Sequence, residues 1–97
     1  MDADRKFAEL TKLAETGFSI LRRDGEIRRS LSIMVAQCIG MEAARLRFTE
    51  KELTEWLKIN YGKVWVRMSG LKPGIDMKEL RKEAFTWYAN TVAKRKN

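Results

Sequence analysis

Apolar residues recur at helical spacing from the first residues of the chain onward. The first apolar stripe consists of Phe7, Leu10, Ala14, Phe18 and Leu21. Steps of three and four residues are typical of one face of an amphipathic helix, so the stripe predicts a helix from about Asp4 to Arg23. Gly17 lies in the middle of this helix, where glycine is costly. Asp24-Gly25 would end the helix, because glycine readily adopts the left-handed conformation that follows a helix.

The Asp24-Gly25 dipeptide is also typical of a two-residue hairpin turn, which gives a second interpretation of this region. In that interpretation the flanking segments FSILRR and EIRRSL would be two short strands. The continuity of the stripe from Phe7 through Leu21 favours the helix over the hairpin.

A second group of apolar positions follows, again at helical spacing: Ile27, Leu31, Met34, Val35 and Cys38. These positions, and the good helix formers after them, predict a second helix from about Glu26 to Arg47, weakened at Gly40. Cys38 lies in the apolar run IMVAQCIG. Because free cysteine is usually buried, we expect Cys38 to be a buried, unreactive thiol.

Two capping boxes mark further helix starts, Thr49 with Glu52 and Asp76 with Glu79. The third helix then has an inward face of Leu53, Trp56 and Leu57. The last helix has one apolar side formed by Met77, Leu80, Ala84, Tyr88 and Thr91, widened by Phe85, Trp87 and Val92. The sequence therefore predicts an all-α fold, a single domain over residues 1–97 with four to five helices.

The segment between these two helices has two interpretations. Val64, Met68 and Leu71 are separated by four and three residues, which predicts another helix after a turn at residues 60–62. However, residues 63–68 also alternate in polarity and are rich in strand formers, which is typical of a short strand. A lone strand would need a partner, and the FSILRR and EIRRSL segments are the obvious candidates.

Leu57, Ile59 and Val64 have the apolar spacing found around the turn of a helix-turn-helix unit. Over about twenty residues this stretch resembles the helix-turn-helix DNA-binding regulators of phages and plasmids. It departs from their pattern at Lys58, where the family commonly has glycine, and at Arg67, which would occupy an inward position. The resemblance implies a second helix that docks in the major groove of duplex DNA.

The chain is basic, with 20 lysines and arginines, 13 acidic residues, a net charge of +7 and a pI near 9.9. Residues 1–48 carry nine basic and seven acidic side chains, whereas residues 49–97 carry eleven and six. No acidic residue occurs between Trp56 and Ile75. Such an excess favours polyanionic partners, and its placement makes the second half of the chain the candidate contact surface.

We expect two sets of residues to contact nucleic acid. In the first set, Lys58, Lys63, Arg67 and Lys72 would bind phosphates, while Asn60, Tyr61, Trp65 and Ser69 would reach base edges or stack. The second set, Arg22, Arg23, Arg28 and Arg29, flanks the Asp24-Gly25 turn and would clamp the backbone. The competing interpretations are a solvated basic face with Trp65 in the core, and local ion pairs of the arginines with Asp24 and Glu26.

The residue inventory argues against catalysis. The chain has no histidine and one cysteine, which removes the common zinc sites, intrachain disulfides and histidine-assisted nucleophiles. We therefore expect a non-enzymatic protein without a cofactor. The charged start MDADRKF does not resemble a secretion signal, and no apolar run approaches the roughly 20 residues that span a bilayer. We expect a cytoplasmic protein that has no membrane partner.

The sequence thus predicts a small DNA-binding regulator or accessory protein that docks a basic helical unit on duplex DNA. RNA is also a candidate partner, because phosphate attraction does not distinguish the two nucleic acids. The alternative is a helical interaction module, an inhibitor or adaptor, that recognises an acidic protein partner. A homodimer is expected if the apolar stripe of the first helix is too wide for the core to cover.

Overall fold

The computed structural model describes residues 2–23, 29–60, 63 and 75–96, and the backbone alone of residues 18–23 and 96. The described residues form four helices: α1 (Ala3–Arg23), α2 (Arg29–Arg45), α3 (Glu50–Asn60) and α4 (Met77–Lys96). In this part of the chain there is no strand. The predicted all-α fold is confirmed, and the hairpin interpretation is wrong because residues 18–23 continue α1. The predicted Asp24-Gly25 turn lies outside the described residues.

Short polar side chains cap three of the helices. The Asp2 carboxylate accepts a hydrogen bond from the Arg5 amide at 2.9 Å, and the Asp76 carboxylate accepts one from the Glu79 amide at 2.8 Å. At α3 the cap is reciprocal. The Glu52 amide donates to the Thr49 hydroxyl at 3.1 Å, and the Thr49 amide donates to the Glu52 carboxylate at 2.8 Å. The helix starts predicted at Thr49 and Asp76 are therefore confirmed.

The second helix ends at Arg45 rather than at the predicted Arg47. Arg47 has a φ of 65°, in the left-handed region, which terminates the helix. Its amide donates to the Ala44 carbonyl at 3.2 Å, and the Phe48 amide donates to the Ala43 carbonyl at 2.9 Å. These two bonds form a Schellman motif, in which Arg47 occupies the position that glycine usually takes.

The core lies where the helices converge. Fully or almost fully buried positions include Leu10 and Ala14 of α1, Leu53, Trp56 and Leu57 of α3, and Leu80, Ala84 and Tyr88 of α4. The predicted inward faces of α3 and α4 are thus confirmed. On α2 the buried side consists mainly of small residues: Ser32, Ala36, Ile39, Gly40, Ala43 and Ala44. This small-residue side packs against α4 and allows the two backbones to approach closely.

The apolar side chains that the sequence highlights on α2 do not form its buried face. Met34 is 58% exposed, and Leu31 and Val35 are half-buried. Cys38 is exposed, so the predicted buried thiol is wrong. The physical reason is the close approach of α4, which favours small residues on α2 where the two backbones are nearest.

Contacts between the helices fix their relative directions. Lys6 of α1 hydrogen-bonds Glu52 of α3, and the later residue Thr11 of α1 hydrogen-bonds the later residue Trp56 of α3. The two helices are therefore parallel. Contacts of Gln37 with Glu83 and of Ala44 with Arg95 show that α2 and α4 also run the same way. The pair α1 and α2 is antiparallel, since Lys6 reaches the carbonyl of Arg47 whereas Gly17 lies against Val35.

These directions place four helix termini at one end of the domain. The ends of α1 and α3 and the starts of α2 and α4 meet there, and the other four termini meet at the opposite end. The last turn of α1 is therefore near the first turn of α2, and the last turn of α3 is near the first turn of α4. Basic residues in the terminal turns at one end of the domain can therefore contact the same binding partner.

Candidate nucleic-acid interface

One end of the domain combines basic residues from both sets that the sequence singled out. We call it the basic end, and it comprises Arg22, Arg23, Arg29, Lys58, Lys63, Lys78, Arg81 and Lys82. The first set contributes Lys58 in the last turn of α3 and Lys63 just beyond it, and both are exposed. The second set contributes Arg22 and Arg23 at the end of α1 and Arg29 at the start of α2. The fold thus brings together residues up to sixty positions apart in sequence, from Arg22 to Lys82.

The basic residues of α3 and α4 lie on adjoining surfaces. Thr54 and Arg81 line the same cleft between the two helices. Lys58 is one turn further along α3, which places it beside the first turn of α4, where Lys78 is exposed. The Arg81 guanidinium stacks over the Phe85 ring at 5.5 Å from its centroid, which holds its charge at this cleft.

Arg29 differs from the lysines because it has a carboxylate partner. Its guanidinium forms an ion pair with Glu79 of α4, and its side chain remains 67% exposed. An exposed pair of this kind contributes little stability, but it offsets part of the positive charge that a phosphate would meet. This partner, Glu79, is on a different helix. The pairing with Asp24 or Glu26 that the sequence suggested lies outside the described residues.

Asn60 is also engaged within the protein. Its side-chain amide donates to the Trp56 carbonyl at 3.0 Å, and the residue is half-buried at the end of α3. In this position it satisfies a terminal carbonyl of the helix, and this bond uses one of the two N–H groups of the amide. The remaining candidates, Tyr61, Trp65, Arg67, Ser69, Lys72 and Arg28, lie outside the described residues, as does the choice between helix and strand at residues 64–68.

The lysines of the basic end are not neutralised by neighbouring acids in the described parts of the chain. Within those parts, no carboxylate lies within 4.0 Å of the ammonium groups of Lys58, Lys78 or Lys82. With respect to the described residues, the charge of these lysines is available to a polyanion.

At the opposite end the cations have internal partners. Lys6 pairs with Glu52 at 2.8 Å, Arg45 lies 3.6 Å from Glu42, and Arg95 donates to the Ala44 carbonyl at the end of α2. Cations near helix C-termini also interact with the partial negative charge of the helix ends. Positive charge is therefore present at both ends of the domain, but at the opposite end more of it is used to hold the helices together.

Two pKa shifts occur at the opposite end. The hydrogen bond from the Lys6 ammonium, with that from the Thr49 amide, lowers the pKa of Glu52 below its ordinary value of 4.5. Burial, together with the carboxylate of Glu50, raises the pKa of Tyr88, whose hydroxyl donates to the Phe48 carbonyl at 2.6 Å. Both shifts accompany structural contacts between helices and are remote from the basic end.

The sequence did not single out the basic residues of α4 as candidate contacts. Lys78, Arg81 and Lys82 lie on the exposed side of α4, opposite the apolar face that identified the helix. Their spacing of three and four residues indicates that they lie near one another on the polar side of the helix, and this can be seen in the sequence. Its significance depends on α3 lying alongside, which the sequence does not reveal.

No group of three Asp, Glu or Cys side chains in the described segments could hold a metal ion. Among the helices of those segments, none has both the length and the apolar character needed to cross a membrane. No model of a known protein family, no curated protein and no solved structure matches this chain.

Proposed function

We propose that this protein is a small non-enzymatic DNA-binding regulator or accessory protein, and that its basic end contacts the phosphates of duplex DNA. The observation that supports the proposal is the placement of four exposed lysines at one end of the domain: Lys58 of α3, Lys63 just beyond α3, and Lys78 and Lys82 of α4. Several exposed lysines at one end of a domain release counterions from DNA together, which is the main source of phosphate-driven affinity.

The helix-turn-helix hypothesis fits this location. In it α3 is the first helix of the unit, and its buried face of Leu53, Trp56 and Leu57 packs on the domain. The second helix would follow after residues 60–62 and would enter the major groove beside the basic end. Lys58 then contacts the backbone next to the inserted helix, and the flanking arginines of α1 add phosphate contacts.

A matched pair of double variants tests the proposal. Lys58→Glu/Lys78→Glu reverses two charges at the basic end, whereas Lys51→Glu/Lys94→Glu reverses two exposed charges on the same helices at the opposite end. Both variants change the net charge equally, so a difference between them reports position. Lys78 and Lys94 are separated by about 24 Å along α4, more than two Debye lengths at 0.15 M salt.

Binding is measured by fluorescence anisotropy with a duplex DNA pool over a salt series. We expect the basic-end variant to bind at least about tenfold more weakly at 0.15 M salt and to lose about two units of the salt slope, while the control retains both within about twofold. Equal losses in the two variants would indicate attraction by net charge alone. A larger loss in the control would move the interface to the opposite end and refute the proposed surface.

Two further measurements separate the remaining hypotheses. A structured RNA tested in the same salt series should bind more weakly than duplex DNA, and a preference for RNA would assign the surface to RNA. Affinity capture after nuclease treatment should recover no stoichiometric protein. A stoichiometric acidic partner whose capture depends on Lys58 and Lys78 would instead support the adaptor hypothesis.

A further inference from the structure

A shallow apolar groove runs between α1 and α2, away from the basic end's lysines on α3 and α4. Its volume is about 250 Å³, and its walls include Leu13, Gly17, Leu31, Met34, Val35 and Cys38. Gly17 has no side chain, which opens the groove towards Val35. Met34, at 58% exposed, is the most exposed large apolar side chain in the described parts of the chain.

The side of α2 that borders this groove forms a ridge of residues spaced four apart. The ridge is Ser30, Met34, Cys38 and Glu42, and the first three are exposed. It has a hydrogen-bond donor at one end, two apolar residues in the middle and, at the other end, the partly exposed carboxylate of Glu42, which also lies 3.6 Å from Arg45. Rows of residues at this spacing are the ridges that pack into grooves when two helices cross.

The ridge is complementary to its own copy in the reverse direction. Antiparallel pairing of two ridges places Met34 beside the partner's Cys38 and Ser30 beside the partner's Glu42. The charges agree with this direction, because α2 has no acidic residue in its first turn and its N-terminus carries the partial positive charge of the helix. A carboxylate from the partner is favourable there, while parallel pairing would set Glu42 against its own copy.

We propose that the groove between α1 and α2 is a two-fold interface that binds a second copy of this chain, with the two α2 helices antiparallel. Each ridge fills the partner's groove, so that Met34 is buried against the groove walls of the other subunit. The Ser30 hydroxyl donates to the partner's Glu42 carboxylate at both ends, as a two-fold interface requires. The contact is short, so the dimer forms at micromolar or higher concentration.

Self-association is tested by sedimentation equilibrium at protein concentrations from about 5 to 500 μM, the range expected of a small interface. We expect a monomer–dimer equilibrium that Met34→Lys abolishes. The matched control is Ile59→Lys, because Ile59 is an exposed apolar residue of similar accessibility, 53%, on α3. This control should retain the parent dissociation constant. A monomer throughout the range, or loss of the dimer in Ile59→Lys alone, overturns the proposal.

Charge reversal tests the antiparallel direction. Ser30→Glu sets two carboxylates against each other at both ends and should raise the dissociation constant at least about tenfold. Adding Glu42→Lys in the same chain should restore the parent value within about threefold, because each introduced carboxylate then faces the ammonium introduced in the other subunit. The two positions are about 18 Å apart along one helix, so the rescue cannot arise within a subunit. Failure of the rescue, with helical spectra unchanged, excludes the antiparallel pairing.

The dimer does not depend on the proposed DNA binding. The lysines of α3 and α4 that the DNA test alters are absent from the groove, so each proposal can fail while the other stands.

Discussion

Gly40 of α2 lies directly against the backbone of Ala84 in α4. A β-carbon added at Gly40 would be 2.0 Å from the Ala84 carbonyl oxygen and 3.0 Å from the Tyr88 amide nitrogen. Both are backbone atoms, which cannot rotate away as a side chain can. The close parallel packing of α2 and α4 is the most extensive contact between two helices in the described part of the chain, and it depends on glycine at this position.

Gly40→Ala should destabilise the protein despite the better helix propensity of alanine. The propensity gain is about 1 kcal/mol, whereas forcing a β-carbon against packed backbone atoms costs about 3 kcal/mol, the upper part of the range for overpacking. We expect a net loss of at least about 2 kcal/mol in the free energy of unfolding, measured by urea denaturation followed by circular dichroism.

Gly17→Ala is the matched control for helix propensity. A β-carbon there would meet Val35 Cγ2 at 3.3 Å, and this half-buried side chain borders an open groove into which it can move. We expect the free energy of unfolding to change by less than about 1 kcal/mol, in either direction. Equal losses in the two variants would contradict the special role of Gly40.

The sequence predicted most of the helical architecture because the relevant signals are local. Caps at Thr49 and Asp76, and apolar stripes on α3 and α4, depend on residues within a few turns of one another. The buried side of α2 was not predictable in the same way. The apolar pattern suggests that Met34 faces the core, and helix propensity suggests that Gly40 weakens α2. In the structure α4 approaches α2 so closely at Gly40 that a small residue is needed at this position.

The candidate interface was predictable only in part. The distribution of charge along the sequence identified Lys58, Lys63 and Arg29, and all three are exposed in the structure. The pairing of Arg29 with Glu79, and the placement of Lys78 beside α3, arise between residues tens of positions apart. A single sequence contains no local signal for such neighbours, so the convergence of basic residues at one end required the fold.

Tyr88→Phe tests the hydrogen bond that joins α4 to the turn after α2. The Tyr88 hydroxyl donates to the Phe48 carbonyl at 2.6 Å in a buried setting. Phenylalanine preserves the ring packing and leaves this carbonyl without its partner, which should cost about 1–3 kcal/mol of unfolding free energy. Thr86→Val is the control, because its hydroxyl donates to a carbonyl of its own helix at an exposed position, and we expect less than about 0.5 kcal/mol there.

Arg47→Gly should stabilise the protein. Arg47 has a φ of 65°, a conformation that costs a residue with a side chain about 1 kcal/mol relative to glycine. Its carbonyl accepts the hydrogen bond from Lys6, and this backbone contact is retained in glycine. We expect a higher melting temperature for Arg47→Gly than for Arg47→Ala, which removes the same guanidinium but keeps the strain. Equal melting temperatures for the two variants would exclude backbone strain as the cause.

The pair of Lys6 and Glu52 should make stability depend on pH in the acidic range. The two groups are 2.8 Å apart, and their side chains are only 11% and 21% exposed. Replacing the carboxylate by an amide leaves a largely buried ammonium without its counter-charge, although the ammonium keeps its hydrogen bond to the Arg47 carbonyl at 3.2 Å. We expect Glu52→Gln to lower the free energy of unfolding at pH 7 by about 2 kcal/mol, less than for a fully buried pair because Glu52 is partly solvated.

The sign of the pH effect follows from the lowered pKa of Glu52, caused chiefly by the Lys6 hydrogen bond. A carboxylate whose pKa is lower in the folded state stabilises the protein above its unfolded value, and this stabilisation is lost as the pH falls through the folded value. The difference in unfolding free energy between the parent and Glu52→Gln should therefore be constant above about pH 6 and shrink steadily below the ordinary pKa of 4.5. Urea denaturation at half-unit pH steps measures this difference directly. A difference that stays constant down to about pH 3 would show that the ionised carboxylate of Glu52 does not contribute to folding stability, and that the glutamine variant loses only packing or helix capping.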